Sequence, residues 1–158
     1  MTSVVRTLYW GALAGAVGTT ALNAATYLDM AVRRRPASST PQQTVERAAK
    51  LIGARLPREE QRREAVESGL GSLLGATAGV GTGLALGAVR GLTGHPRSGL
   101  GTAGLAWLLA MVAGNGPMTV LGVTDPRTWR SVDWAADVVP HLAYAGAAAA
   151  TMAALERP

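Results

Sequence analysis

Asp137 and His141 stand four residues apart, so any helix that contains them puts a carboxylate and an imidazole on one face. Such a pair can hold a proton, fix a histidine tautomer or give a divalent cation two of its ligands. Asp133 and Tyr144 extend the same face, the four residues falling within about 80° of one another on a helix of 3.6 residues per turn. Asn115 offers an amide from the run Gly114-Asn115-Gly116-Pro117, and Asn23 and Asp29 bring polar groups to the end of an earlier apolar stretch. These polar-cluster candidates, Asn23, Asp29, Asn115, Asp137, His141 and Tyr144, all lie in or beside apolar runs. Ionisable groups in such runs are costly and are candidates for function by default.

Each has a structural reading beside the chemical one. Asp29 and Arg33 are spaced as an i, i+4 ion pair at a helix end. Asp133 and Asp137 fall in the first turns of a helix, where the dipole favours anions, and Asp137 with His141 makes a hydrogen-bonded pair. Two side chains on one helix are a weak metal signal, and no metal site is assigned. Pro117 and Pro140 each remove a helical hydrogen bond, to residues 113 and 136, and the glycines beside Pro117 ease unwinding. Broken helices serve substrate sites in transporters, although many membrane helices only kink at proline.

The chain excludes several chemistries. It has no cysteine, hence no disulfide, thiolate site or cysteine nucleophile. It has no phosphate-binding glycine loop with lysine, no paired-histidine zinc motif and no serine triad. No catalytic residue and no cofactor are assigned.

The elements that must position these groups are apolar and long. Windows 7–28, 68–89, 98–124 and 138–155 contain no Asp, Glu, Lys or Arg and run 22, 22, 27 and 18 residues. About 20 apolar residues cross a bilayer as a helix. The expectation is an all-α bundle of four transmembrane helices over approximately 7–31, 68–90, 98–121 and 134–155, in one integral membrane domain covering 1–158. The alternative, a soluble bundle, calls for polar faces recurring along the helices, and these windows mostly lack them.

The second window and the turn beyond it carry glycine at strict four-residue intervals: Gly71, Gly75, Gly79, Gly83, Gly87 and Gly91. A soluble helix would lose roughly 1 kcal/mol for each glycine relative to alanine, whereas in lipid small residues let backbones approach. The row, a glycine zipper, predicts helix packing at Gly71, Gly75, Gly79, Gly83 and Gly87. A repeat of four drifts by about 40° per step, so one straight partner meets about three of them. The remainder then face another span, another subunit or a pore.

The connections set sidedness. Residues 33–67 hold nine Lys and Arg, and Arg127 and Arg130 lie in the loop between the third and fourth windows; Arg6, Arg90, Arg97 and Arg157 lie on the other side. Eleven against four predicts a cytoplasmic 33–67 segment and a multi-pass protein of the inner (plasma) membrane with both termini outside. A signal peptide over residues 1–25 is the competing reading, and the Arg33-Arg34-Arg35 stop argues against it. Thr40, Pro41 and Gln43 read as N-cap, first helical residue and capping-box partner of a cytoplasmic helix. Its apolar face is Val45, Ala48, Ala49, Ile52 and Leu56, interrupted at Gly53 or Pro57. This amphipathic helix either lies on anionic lipid headgroups, near the basic 33–63 segment, or packs across the mouth of the bundle. The charged run from Arg58 to Glu67 continues into the second span, and segment 40–67 is helical. His95 reads as a solvated residue in the short hairpin 91–96, which makes spans two and three antiparallel neighbours. Tyr9 with Trp10, and Trp129 with Trp134, suit interfacial anchoring.

The stretches from Ala14 to Asn23, Tyr27-Leu28-Asp29-Met30 and Arg35-Pro36-Ala37-Ser38-Ser39-Thr40-Pro41 resemble a group of small, uncharacterised actinobacterial integral membrane proteins. Asn115-Gly116-Pro117-Met118-Thr119, Asp125-Pro126-Arg127-Thr128-Trp129 and Asp137 to Tyr144 are similar to the same group. The resemblance covers most of the chain. It implies four spans and brings no activity or catalytic residues with it.

The sequence therefore points first to a non-enzymatic membrane scaffold or accessory module. Its partners would be the lipid bilayer, a second copy or another membrane protein, with no nucleic acid. The alternative is a small transporter or channel component built on the polar cluster, with a metal-dependent membrane enzyme last. A dry, glycine-packed interior favours the first, and a polar cavity converging on Asn115 and His141 the second.

Overall fold

The computed structural model describes residues 3–93 and 99–157, and five α-helices hold most of those residues. They are α1 (Ser3–Arg33), α2 (Thr40–Leu51), α3 (Glu60–Thr93), α4 (Gly99–Val120) and α5 (Ser131–Leu155), with a 3₁₀ turn at Pro126–Thr128. There is no strand among the described residues. Three of the helices, α3, α4 and α5, are long and apolar enough to cross a membrane. The expected fourth, α1, is the longest but one at 31 residues and falls outside that set. Its interior is diluted by Gly11, Gly15, Gly18, Thr19, Thr20, Asn23 and Thr26. His95 lies outside the described residues.

The four long helices form a square. α1 packs on α3 and α5, and α4 packs on the same two, so α1 and α4 stand diagonally opposite. Ala14, Leu86, Ala106, Ala110, Tyr144, Ala145, Ala148 and Met152 fill the middle. Only Leu86, Tyr144 and Met152 among them are large. The outward faces at mid-height are apolar too, with Leu13, Val17, Leu73, Leu74, Leu108, Val112 and Leu142 exposed. Helices apolar on all sides suit a surrounding as apolar as the core.

The glycine row divides between partners. Gly79, Gly83, Gly87 and Gly91 face α1 at Thr7, Gly11, Gly15 and Thr19, which repeat at the same four-residue interval. The two backbones touch. A Cβ on Gly83 would stand 2.5 Å from the Cα of Gly15, and one on Gly15 would stand 2.7 Å from the carbonyl of Gly79. Gly71 faces the ring of Pro41 in α2 rather than another long helix. Gly75 corrects the sequence reading, because nothing lies within 4 Å of the place its Cβ would take. The cause is the drift of about 40° per step: the row leaves α1 below Gly79 and reaches α2 only at Gly71.

Helix ends follow local chemistry. α2 starts one residue earlier than the sequence suggests: Ser39 is the N-cap and Pro41 sits at the second helical position. Gln43 still closes the turn, its Nε2 donating to Ser39 Oγ at 2.9 Å and its backbone N–H to Ser39 O at 3.0 Å. At the other end Gly53 takes φ 69°, the left-handed conformation that costs glycine least. There Ala54 N–H bonds Ala49 O and Gly53 N–H bonds Lys50 O, a Schellman closure. Gly122 ends α4 the same way at φ 66°.

α2 folds back along the start of α3. Pro41 lies on Gly71, and Glu46 meets Arg63 at 3.1 Å, so the two helices are antiparallel. Val45 and Ala49 are buried, while Leu51 and Ile52 at the tip are exposed. The face the sequence assigns to a membrane surface or to the bundle mouth thus serves mainly the flank of α3. Eight residues of α3 precede Ser68, about 12 Å of helix, so the hairpin projects beyond the apolar part of the bundle.

Candidate functional site

Asn115, Asp137 and His141 come together near the hairpin end of the bundle, where α4 and α5 pack. Asn115 Nδ2 donates to Asp137 Oδ2 at 2.9 Å. His141 Nδ1 lies 2.7 Å from the backbone carbonyl of Asp137 and 3.6 Å from its Oδ1. A carbonyl only accepts, so in the neutral ring Nδ1 carries the proton and Nε2 keeps its lone pair. Nε2 faces Gly114, 3.2 Å from where a Cβ would stand, so the missing side chain gives the imidazole room. Asp137 is about one-fifth exposed and His141 about one-eighth.

The backbone around this group stays helical. Pro117 lies within α4 and Pro140 within α5, and neither breaks its helix. Thr119 Oγ1 donates to Asn115 O at 2.8 Å, adding a side-chain bond one turn on. The unwinding that the glycines beside Pro117 invite does not occur.

The other candidates lie elsewhere. Tyr144 is only one turn beyond His141, yet it belongs to the core, 1% exposed, and its hydroxyl donates to Gly79 O at 2.7 Å. Its ring covers Gly18, where a Cβ would come within 2.8 Å of Cδ2, so tight packing fixes it away from the Asn115 group. Asn23 is exposed on α1, and its side chain makes no hydrogen bond with a described residue. Asp29 is taken up locally. Arg33 reaches it at 2.7 Å and 2.8 Å through Nε and Nη2, and Arg35 Nε at 2.6 Å. Arg34, at φ 52°, turns the chain so that both neighbours can fold back on one carboxylate.

What the group can do is limited. It is one carboxylate, one imidazole and one amide, sufficient to hold a proton or to tie α4 to α5. Among the described residues no three His, Cys, Asp or Glu side chains converge as a metal site would require.

A second polar centre lies at the opposite end. Arg90 Nη2 meets Glu156 Oε2, and its Nη1 donates to Thr102 Oγ1, so one guanidinium joins α3, α4 and the end of α5. In the sequence Arg90 reads only as a basic residue at the outer end of the second span. The signal was present: windows 68–89 and 138–155 end immediately before Arg90 and Glu156, and alternating helix directions bring those ends to one level. The loop before α5 is also built, with the Asp125 carboxylate accepting hydrogen bonds from Nε and Nη2 of Arg127, each at 2.9 Å. There Trp129 donates to Thr124 Oγ1 at 2.8 Å and stacks edge-on against Trp134.

No protein-family model, no curated protein and no solved structure matches the chain.

Proposed function

We propose that this chain is a four-span protein of the plasma (inner) membrane, with both termini outside and the α2 hairpin in the cytoplasm. Its role is that of a non-enzymatic scaffold or accessory module for another membrane protein or a second copy of itself. The observation that carries the reading is the α1–α3 seam, where Gly11 and Gly15 meet Gly79, Gly83 and Gly87 backbone to backbone. With backbones in contact and only the short side chains of Thr7 and Thr19 beside them, the seam has little to repack, which favours a fixed frame over a machine that alternates between two packings.

Support for α1 as the fourth span comes from its hydroxyls. Thr19, Thr20 and Thr26 donate to the carbonyls of Gly15, Ala16 and Leu22, four residues back. These groups are satisfied within the helix, so they lower its hydropathy without needing water. Sidedness rests on the excess of Lys and Arg in 33–67 and the 127–130 loop.

The second reading, a small transporter or channel component, rests on the Asn115–Asp137 bond with His141 beside it. It would route a proton or cation past Tyr144 and Leu86, which are fully buried in the bundle interior.

The test uses proteoliposomes and labelling. The chain should resist carbonate extraction. Ser38→Cys, in a protein without native cysteine, should escape an impermeant thiol reagent in intact cells. Vesicles holding the protein should be no leakier to protons or sodium than empty ones. Labelling of Ser38→Cys would reverse the topology, and a flux abolished by Asp137→Asn would replace the scaffold with a transporter.

A further inference from the structure

A cavity of about 210 Å³ opens on the side of the bundle where the end of α1 meets the start of α5. Its walls are Asp29, Arg33, Ala135, Ala136, Val139 and Pro140. The rim is charged and the floor apolar. We infer that this groove seats one phospholipid of the cytoplasmic leaflet, its anionic phosphodiester on Arg33 and Arg35 and its acyl chain along Val139 and Pro140. The inference rests on the four-span reading and deepens it by assigning a lipid to one site.

Charge commits the occupant. Asp29 is shared by Arg33 and Arg35, so one carboxylate faces two guanidinium groups and leaves an excess of one positive charge. Asp133 has its own partner in Arg130, at 3.0 Å through the backbone N–H and 3.4 Å through Nε, and does not remove that excess. A phosphodiester monoanion cancels that excess, and guanidinium suits phosphate oxygens. Three arginines following an apolar span are where phosphates of the cytoplasmic leaflet are expected.

The floor suits a lipid and not a soluble anion alone. Val139 is 57% exposed, and Leu28 and Val32 are exposed on the same stretch of α1 as Asp29 and Arg33. Pro140 has no N–H for the Ala136 carbonyl, and both residues line the cavity. That acceptor suits a headgroup hydroxyl next to the phosphate, as in phosphatidylglycerol. A bare phosphate dianion has no tail for the apolar wall.

The test is native mass spectrometry on the full chain purified in mild detergent and stripped of lipid. Dioctanoyl phosphatidylglycerol should give one retained adduct. Dioctanoyl phosphatidylcholine, which is neutral overall, should bind about tenfold more weakly, and glycerol phosphate should leave no adduct. Arg33→Gln and Val139→Trp should each lower phosphatidylglycerol occupancy about tenfold at an unchanged melting temperature. Arg127→Gln, whose guanidinium is 90% exposed in the loop, should leave it intact. If Arg33→Gln does not fold, Val139→Trp decides, because that side chain lies outside the core. An adduct unaffected by the folded groove variants, equal binding of the two lipids, or binding of glycerol phosphate as tight as the lipid would overturn the site. Carbonate extraction separates the two claims: a chain that stays in the membrane but takes no adduct loses the lipid site alone, whereas one released by carbonate loses the membrane reading too.

Discussion

Arg90 Nη2 lies 2.6 Å from Glu156 Oε2, tying the last turn of α3 to the residue that ends α5 across 66 residues of sequence. Both side chains are largely buried, at 9% and 15% exposure. A glutamate at a helix C-terminus opposes the helix dipole, and the guanidinium compensates it.

Removing one partner of a buried pair costs about 3–5 kcal/mol, because the other charge is left without compensation. The residual exposure of Glu156 places this pair at or below the lower end. Arg90→Ala and Glu156→Ala should each lower the free energy of unfolding in mixed micelles by about 2–3 kcal/mol. The double variant should lose at least about 1 kcal/mol less than their sum. Strict additivity would show that the two side chains do not act on one another.

Glycines of the row should differ sharply in tolerance. A Cβ at Gly83 would run into the backbone of Gly11 and Gly15, whereas one at Gly75 meets nothing within 4 Å. Gly83→Ala should force α1 and α3 apart and cost more than about 2 kcal/mol, as overpacking does. Gly75→Ala should be neutral or gain up to about 1 kcal/mol from helix propensity. Thermal melts in detergent decide, and equal losses at the two positions would remove the seam.

The contrast between these two glycines shows where sequence reasoning stops. Composition reveals that the row packs, because six glycines at four-residue intervals along one mostly apolar helix make a poor isolated helix. The period also reveals that a single partner cannot meet them all. Which glycine leaves the seam depends on how the two helices meet, and that is set by Thr7, Gly11, Gly15 and Thr19, a fainter repeat dispersed among Gly18 and several alanines. Asn115, Asp137 and His141 were legible because a short loop must bring the facing ends of α4 and α5 together. Tyr144 was misread because its backbone position shares their face while its ring turns to fill the space over Gly18. No helical wheel reports that choice of rotamer.

Acid should loosen the hairpin before it touches the bundle. Glu46 bonds Lys50 at 2.8 Å and meets Arg63 at 3.1 Å, and the Lys50 hydrogen bond above all holds its carboxyl below the ordinary glutamate value of 4.5. A carboxylate with a lowered pKa in the folded state stabilises it fully above the unfolded value. That contribution fades as pH falls from about 4.5 through the folded value. Amide exchange in α2 should therefore accelerate below about pH 4.5 relative to the core of α3, after correction for the intrinsic rate. Glu46→Gln should exchange fast already at neutral pH and lose the acid step. An acid step that survives Glu46→Gln would assign the effect to another carboxylate.

The Asn115–Asp137 bond distinguishes a tie from a proton site. Asp137 accepts from Asn115 at 2.9 Å, and its carbonyl takes the imidazole of His141 at 2.7 Å. Asp137→Asn preserves shape and leaves an amide that can still bond Asn115, while the His141 contact is to backbone and survives any side-chain change. Under the scaffold reading this variant should stay within about 0.5 kcal/mol of wild type in unfolding experiments and keep any cellular phenotype. Asn115→Leu instead strands the carboxylate and should cost about 1–3 kcal/mol. Adding Asp137→Leu to it should recover much of that loss, since replacing both partners by apolar groups removes the unmet demand. Under the transport reading the order inverts in activity though not in stability: Asp137→Asn folds as wild type yet fails to complement a deletion strain, because the proton-carrying carboxylate is gone. Pairing melting temperature with complementation for these three variants separates the readings, and loss of complementation at an unchanged melting temperature in Asp137→Asn would end the scaffold proposal.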